Sequence, residues 1–184
     1  DNVAVYDHMG RHMLCTMVQT NKPAEEQAHN VAMQVAAMNP VALDEASVPQ
    51  EVKDEELKVA IETTKEEQVK KAVEAAIKKA GYNAYIAESE EHLEEGIRKG
   101  NITEEDAAAI RELKAKTAEE KSANLPEQMV QNIANGRMKK FYKESCLLNQ
   151  EYIQDSKQTV AEYLKSTDKD LTVTAFKRFT LRAE

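Results

Sequence analysis

Tryptophan is absent from this sequence, phenylalanine occurs three times, and aromatic residues make up only 5% of the chain. A thick aromatic core is thereby excluded. A chain poor in aromatics and rich in Ala, Glu and Lys is expected to be mostly helical, with slender packing. Cysteine is nearly missing too. Cys15 and Cys146 lie far apart, which gives neither a disulfide framework nor a paired-cysteine zinc pattern. Both are read as reduced thiols packed near the core of a cytosolic protein. No apolar run approaches the roughly 20 residues needed to cross a bilayer, and no signal peptide is visible. Positive charge is in deficit, with a formal net charge of -8. Such a chain is a poor non-specific nucleic-acid binder, because it cannot neutralise phosphates over a broad surface. Neither nucleic acid nor membrane is therefore expected as a partner, and a cytoplasmic location is. An initiator Met is also lacking: Asp1 to Val5 reads as a strand already under way, so a segment of a longer protein is expected.

The residues present arrange themselves around turn signals. Val3–Tyr6 and Met13–Val18 read as two short strands. Gly10 lies between them and can take a positive φ, which makes a hairpin. Pro23 opens a helix, with Glu25 and Glu26 suited to its positive end. Along it, Val31, Val35 and Met38 recur at helical spacing beside Ala28, Ala32 and Ala36, and Asn39-Pro40 stops it. From Pro49 onward the period is helical. Val69, Ala72, Val73, Ala76, Ile77 and Ala80 form one apolar face, and Gly81 ends it. Glu90 to Lys99 is a short helix, Thr103 an N-cap, and Ile110 and Leu113 continue a stripe towards Lys121. Pro126 restarts a helix with Met129, Val130, Ile133, Met138 and Phe141 inward. Ser156 to Lys165 reads as a further helix, with Val160 and Leu164 inward. Leu171 to Leu181 reads as a terminal strand or strand pair.

The expected architecture is α+β: a small three-stranded antiparallel sheet covered by helices, with a long antiparallel helical hairpin inserted between its second and last strands. Residues 1–48 form the first part of a core, 49–148 a coiled-coil-like arm, and 149–184 the return of the core. A long insertion is tolerable because closure entropy grows slowly with loop length. The arm holds much of the acid, with 19 acidic and 13 basic residues between Gln50 and Ala123. That balance is read as a solvated helical surface.

Chemistry is sparse. The phosphate loop, the dinucleotide fingerprint, the helical zinc-protease motif and the nucleophile elbow are all missing. His8 and His12 stand four apart but flank a turn, so they are read as turn histidines and not metal ligands. His92 sits among Glu88, Glu90, Glu91, Glu94 and Glu95, read as a helix surface whose repulsion solvent relieves. The seven methionines are read as core fillers. A binding role is favoured, with no catalytic residue, no metal and no cofactor expected.

Five segments, in order, resemble one family. Val5-Tyr6-Asp7-His8-Met9-Gly10-Arg11 is similar to a Tyr-x-His-x-x-x-Arg-like hairpin. Val31 to Pro40 is similar to an Ala-Met-x-x-Ala-Ala helix ending in Pro. Gly136 to Glu144, followed by Leu147 and Gln150, resembles a Gly-Arg-x-x-Lys-Phe-x-x-Glu segment, the most specific of the five. Lys157-Gln158-Thr159-Val160 resembles a Lys-Thr-Val helix start, with one residue more. Phe176-Lys177-Arg178-Phe179 resembles a closing Phe-x-Arg-Phe strand. The family is that of bacterial translation elongation factor Ts, in its C-terminal core subdomain with the dimerisation arm. Two departures stand out: the family's N-terminal helical module and its Thr-Asp-Phe-Val motif are not in this chain, and the arm is longer, over about residues 65–124.

The resemblance implies a non-catalytic exchange factor. It would bind the GTPase elongation factor Tu more tightly without nucleotide than with it, so factor and nucleotide weaken each other reciprocally. This chain would supply the docking part without the exchange motif, and the arm would support a homodimer. The implied contact residues are Tyr6, His8, Gly10 and Arg11, although building the turn accounts equally well for Tyr6 and Gly10. The alternative is a structural or adaptor protein whose helical arm makes the partner contacts.

Overall fold

A computed structural model of the protein describes residues 2–182. Asp1, the first residue of the expected opening strand, lies outside them. The chain divides into two compact units, residues 1–55 with 137–184, and residues 56–136.

The first unit is an α+β sandwich. Strand β1 (Val3–Asp7) and strand β2 (Leu14–Thr20) pair antiparallel, and β2 pairs antiparallel with β5 (Val173–Thr180), giving the order β1-β2-β5. The central strand shows why the sheet has two faces. Thr16, Val18 and Thr20 are buried while Met17 and Gln19 between them are exposed, the period of two that a pleated strand imposes. Helix α1 (Glu25–Met38) covers the inner face and buries Ala28, Val31, Ala32, Val35 and Ala36. Its alanines let the helix come close. Buried Thr16 donates its hydroxyl to the Ala32 carbonyl at 2.7 Å, a contact no bulkier helix face would allow. Val18, Val31, Val35, Leu147, Val160, Leu164, Leu171 and Val173 complete the core.

Asn39 ends α1 in the left-handed region, at φ 42°, and its N–H donates to the Val35 carbonyl at 3.1 Å. The helix begins at Glu25, two residues after Pro23.

The second unit is helical. Helix α2 (Gln50–Lys79) enters it, followed by α3 (Ala84–Ala87), α4 (Glu90–Arg98) and α5 (Glu104–Ala123). The chain leaves along α6 (Glu127–Ser145). Ile77, Ala87, Leu93, Ala107 and Ile110 form a core of their own. Thr103 closes a capping box with Asp106 at the start of α5.

Three expectations need correction. Residues 156–159 are strand and not helix: β3 (Glu151–Tyr152) and β4 (Asp155–Thr159) make a small hairpin. Helix α7 (Val160–Thr167) starts only after it, where the Thr159 side chain and Glu162 form a reciprocal cap. The methionines are mostly not core fillers. Met9, Met13, Met17 and Met38 are exposed, whereas Met138 is buried. Cys15 is half-buried at the hairpin and only Cys146 lies in the interior. Burial and the nearby Asp7 carboxylate both push the Cys15 thiol above its ordinary range.

Candidate functional site

Among the described residues, the hairpin joining β1 to β2 holds two of the three non-glycine residues with positive φ. Met9, Gly10 and His12 all have positive φ, at 58°, 62° and 55°. For Gly10 this conformation is free. For Met9 and His12 it costs about 1–2 kcal/mol each. Asp7 at the end of β1 holds the turn against that cost. Its Oδ1 accepts the His12 backbone N–H at 2.9 Å, and its Oδ2 lies 2.6 Å from His12 Nδ1. Strain held by surrounding contacts is a feature of functional loops.

Each expected contact residue can be placed. Tyr6 is half-buried and packs against the core, with its ring edge on His29 at 5.6 Å. Its hydroxyl hydrogen-bonds His8 Nδ1 at 3.1 Å. Tyr6 thus supports the turn from beneath. His8 is half-buried, and Gly10 and Arg11 are exposed. His8 and His12 are engaged by different partners, Tyr6 and Asp7, and do not converge. Among the described residues there is no cluster of three or more His, Cys, Asp or Glu able to hold a metal ion.

Sequence reasoning missed two parts of this surface. One is Asp7, whose role shows only once the turn is folded. The other is the outer face of the sheet. The register sets Val5, Met17 and Lys177 in one row and Asp7, Cys15 and Phe179 in the next. Val3, Val5, Met17 and Phe179 are exposed by 44%, 59%, 39% and 55%. An open apolar face beside a rigid polar turn suits protein docking. The residue types alone gave no signal for this face, because only the pairing register sets Val3, Val5, Met17 and Phe179 on the same side of the sheet.

In the helical unit, His92 is engaged locally. Its ring stacks on Tyr85 at 4.3 Å and its Nδ1 lies 2.8 Å from the Tyr85 carbonyl. The surrounding acid is relieved by cations as well as by solvent. Arg111 pairs with Glu90 and holds its carboxyl below the ordinary range, and Lys99 does the same for Glu95. Tyr85 itself is 63% exposed. Among the described residues, no helix is long and apolar enough to cross a membrane.

The sequence profile of the family described as Elongation factor TS matches residues 1–90 and 92–183. The chain is similar to elongation factor Ts of Parabacteroides distasonis, 59% identical over 180 residues. That match covers 98% of this chain and 55% of the relative. Its counterpart in Bacteroides thetaiotaomicron is 58% identical over 184 residues, covering all of this chain and 56% of the relative. The one in Porphyromonas gingivalis is 33% identical over 180 residues, 97% of this chain and 45% of the relative. The chain spans about half the length of the curated relatives it matches.

Proposed function

Because the chain belongs to the elongation factor Ts family, we propose that it is the docking half of a factor that promotes GDP/GTP exchange on elongation factor Tu in the cytoplasm. The observation that carries this reading is the β1–β2 turn. Met9, Gly10 and His12 have positive φ, and Asp7 holds His12 through its backbone N–H and its ring; a turn held in this way presents His8 and Arg11 with part of the ordering cost of binding already met. Arg11 can donate two directed hydrogen bonds to one carboxylate, and the open apolar face of the sheet supplies area beside it. Gly10 permits the turn and Tyr6 braces it. No bond is made or broken. The factor acts by differential affinity for two states of the GTPase, and the coupling is reciprocal.

The Thr-Asp-Phe-Val motif is not in this sequence, so docking and exchange separate in this chain. In stopped-flow release of a fluorescent GDP from elongation factor Tu, the chain alone should leave the release rate near its spontaneous value. Acceleration approaching that of a full-length factor would refute the division. Self-association through the helical unit is a second reading, supported by the exposed Tyr85 on that unit. Sedimentation equilibrium of the chain and of Tyr85→Ala tests it. Dimers that weaken in the variant support it, and a monomer at all concentrations refutes it.

A further inference from the structure

Methionine is among the residue types most often buried, yet three methionines stand exposed within one short stretch of this chain. Met9 lies in the β1–β2 turn and is 67% exposed. Met13 immediately precedes β2, and Met17 projects from that strand to the open side of the sheet. The register sets Met17 between Val5 and Lys177, on the face that also exposes Val3 and Phe179. By contrast, Met138 is buried, and Met33 and Met129 are half-buried. Met38, at the end of α1, is also exposed, but α1 covers the other face of the sheet.

A thioether is nucleophilic without losing a proton. Its sulfur lone pair attacks one oxygen of hydrogen peroxide, the O–O bond breaks and a sulfur–oxygen bond forms. The departing hydroxide takes the proton of the transferred oxygen and leaves as water. Sulfur loses two electrons and peroxide gains them, giving the sulfoxide. A reductase supplying two thiols reverses the step, yielding water and a disulfide. A cysteine, by contrast, reacts as its thiolate. Cys15 shares this face, in the row with Asp7 and Phe179. Burial and then the Asp7 carboxylate hold its thiol above the ordinary range, and its S–H donates to Asp7 Oδ1 at 3.8 Å. The thioethers beside it therefore oxidise first. A sulfoxide is polar where the thioether was apolar, and burying its oxygen against a partner without a donor is unfavourable. We propose that Met9, Met13 and Met17 are sites of reversible oxidation by hydroperoxides, and that sulfoxide at these positions weakens docking on the GTPase. The effect on binding rests on the docking reading above, while the oxidation sites stand on the surface itself.

The test has two arms. In the first, the chain is treated with dilute hydrogen peroxide and each sulfur is followed by tandem mass spectrometry. Met9, Met13 and Met17 should each gain one oxygen about tenfold faster than Met138, with Cys15 still a free thiol. Oxidation of Met138 or Cys15 at the same rate overturns the assignment of the sites. The oxidised chain should keep a cooperative urea transition, and loss of that transition overturns a switch confined to the surface.

In the second arm, peroxide is removed and elongation factor Tu is titrated with the oxidised and the unoxidised chain. The oxidised chain should bind about fivefold more weakly or worse, and methionine sulfoxide reductase should restore the affinity. The triple variant Met9→Leu, Met13→Leu, Met17→Leu is compared with its own unoxidised form and should lose less than about twofold, since leucine offers no sulfur. Met17→Leu alone should lose less than the parent does, and Met38→Leu should lose as much as the parent. Equal binding before and after oxidation, an equal loss in the triple variant, or a loss that the reductase leaves in place overturns the switch. No binding by the unoxidised chain overturns the docking reading and the switch with it, and leaves the oxidation sites standing.

Discussion

Replacing Gln34 with leucine tests how the first unit is held together. Gln34 sits on α1 and is fully buried. Its Nε2 donates to Gln150 Oε1 at 3.3 Å and to the Glu151 carbonyl at 3.0 Å. Its Oε1 accepts the Ile153 N–H at 2.8 Å. One side chain thus ties α1 to the β3–β4 hairpin more than a hundred residues later. Leucine has similar bulk, so little packing is lost. Three polar groups lose their partner. Gln150, only 1% exposed, cannot turn to water, and an orphaned buried group costs about 1–3 kcal/mol. The groups on Glu151 and Ile153 lie nearer the surface and recover part of their loss from solvent. With the added apolar burial offsetting about 1 kcal/mol, Gln34→Leu should destabilise the first unit by about 2 kcal/mol. Urea unfolding followed by circular dichroism gives the total, and hydrogen exchange of the Ile153 amide localises it. The double variant Gln34→Leu plus Gln150→Leu should cost less than the sum of the singles. A neutral or stabilising Gln34→Leu would refute this account of the core.

Excising residues 65–124 and joining the ends with a flexible Gly-Ser linker should leave a cooperative transition, because the cluster around Ile77, Leu93 and Ile110 is separate from that around Val18 and Val35. Loss of cooperative folding on thermal melting would show that the helical unit supports the sheet. Met9→Gly should stabilise by up to about 1 kcal/mol, since relief of the left-handed strain exceeds glycine's entropic cost. Met9→Ile should destabilise, and the reverse order of urea midpoints would count against a strained turn.

Much of the fold was legible because its periods are strong. The turn at Gly10 between two short strands, the Ala-rich face of α1, the N-cap at Thr103 and the stop at Asn39-Pro40 are local signals, and local signals survive without a structure. The β3–β4 hairpin was not legible. Glu151 and Tyr152 are too few to show a period, and Asp155–Thr159 is exposed along most of its length and so has no hydrophobic alternation. The exposure of Met9, Met13, Met17 and Met38 escaped for another reason: methionine is apolar on any scale, and only the pairing register shows which face it is on. At the site, Gly10 was readable from its type, whereas the clamp by Asp7 depends on a side chain reaching five residues forward.

The central claim is that this chain docks on elongation factor Tu through the clamped turn. Calorimetric titration of nucleotide-free elongation factor Tu with the chain, and with His8→Ala plus Arg11→Ala, tests it most directly. The double variant should unfold within about 1 kcal/mol of the parent, since Arg11 is exposed and the hydrogen bond shown for the His8 ring is the one to the Tyr6 hydroxyl. The parent should bind, and the variant should bind more weakly by about 1–3 kcal/mol, the range expected for anchor residues. No binding by the parent would contradict the claim outright. Equal dissociation constants would move the docking surface away from the turn, with Lys139 and Lys140 on α6 the next residues to alter.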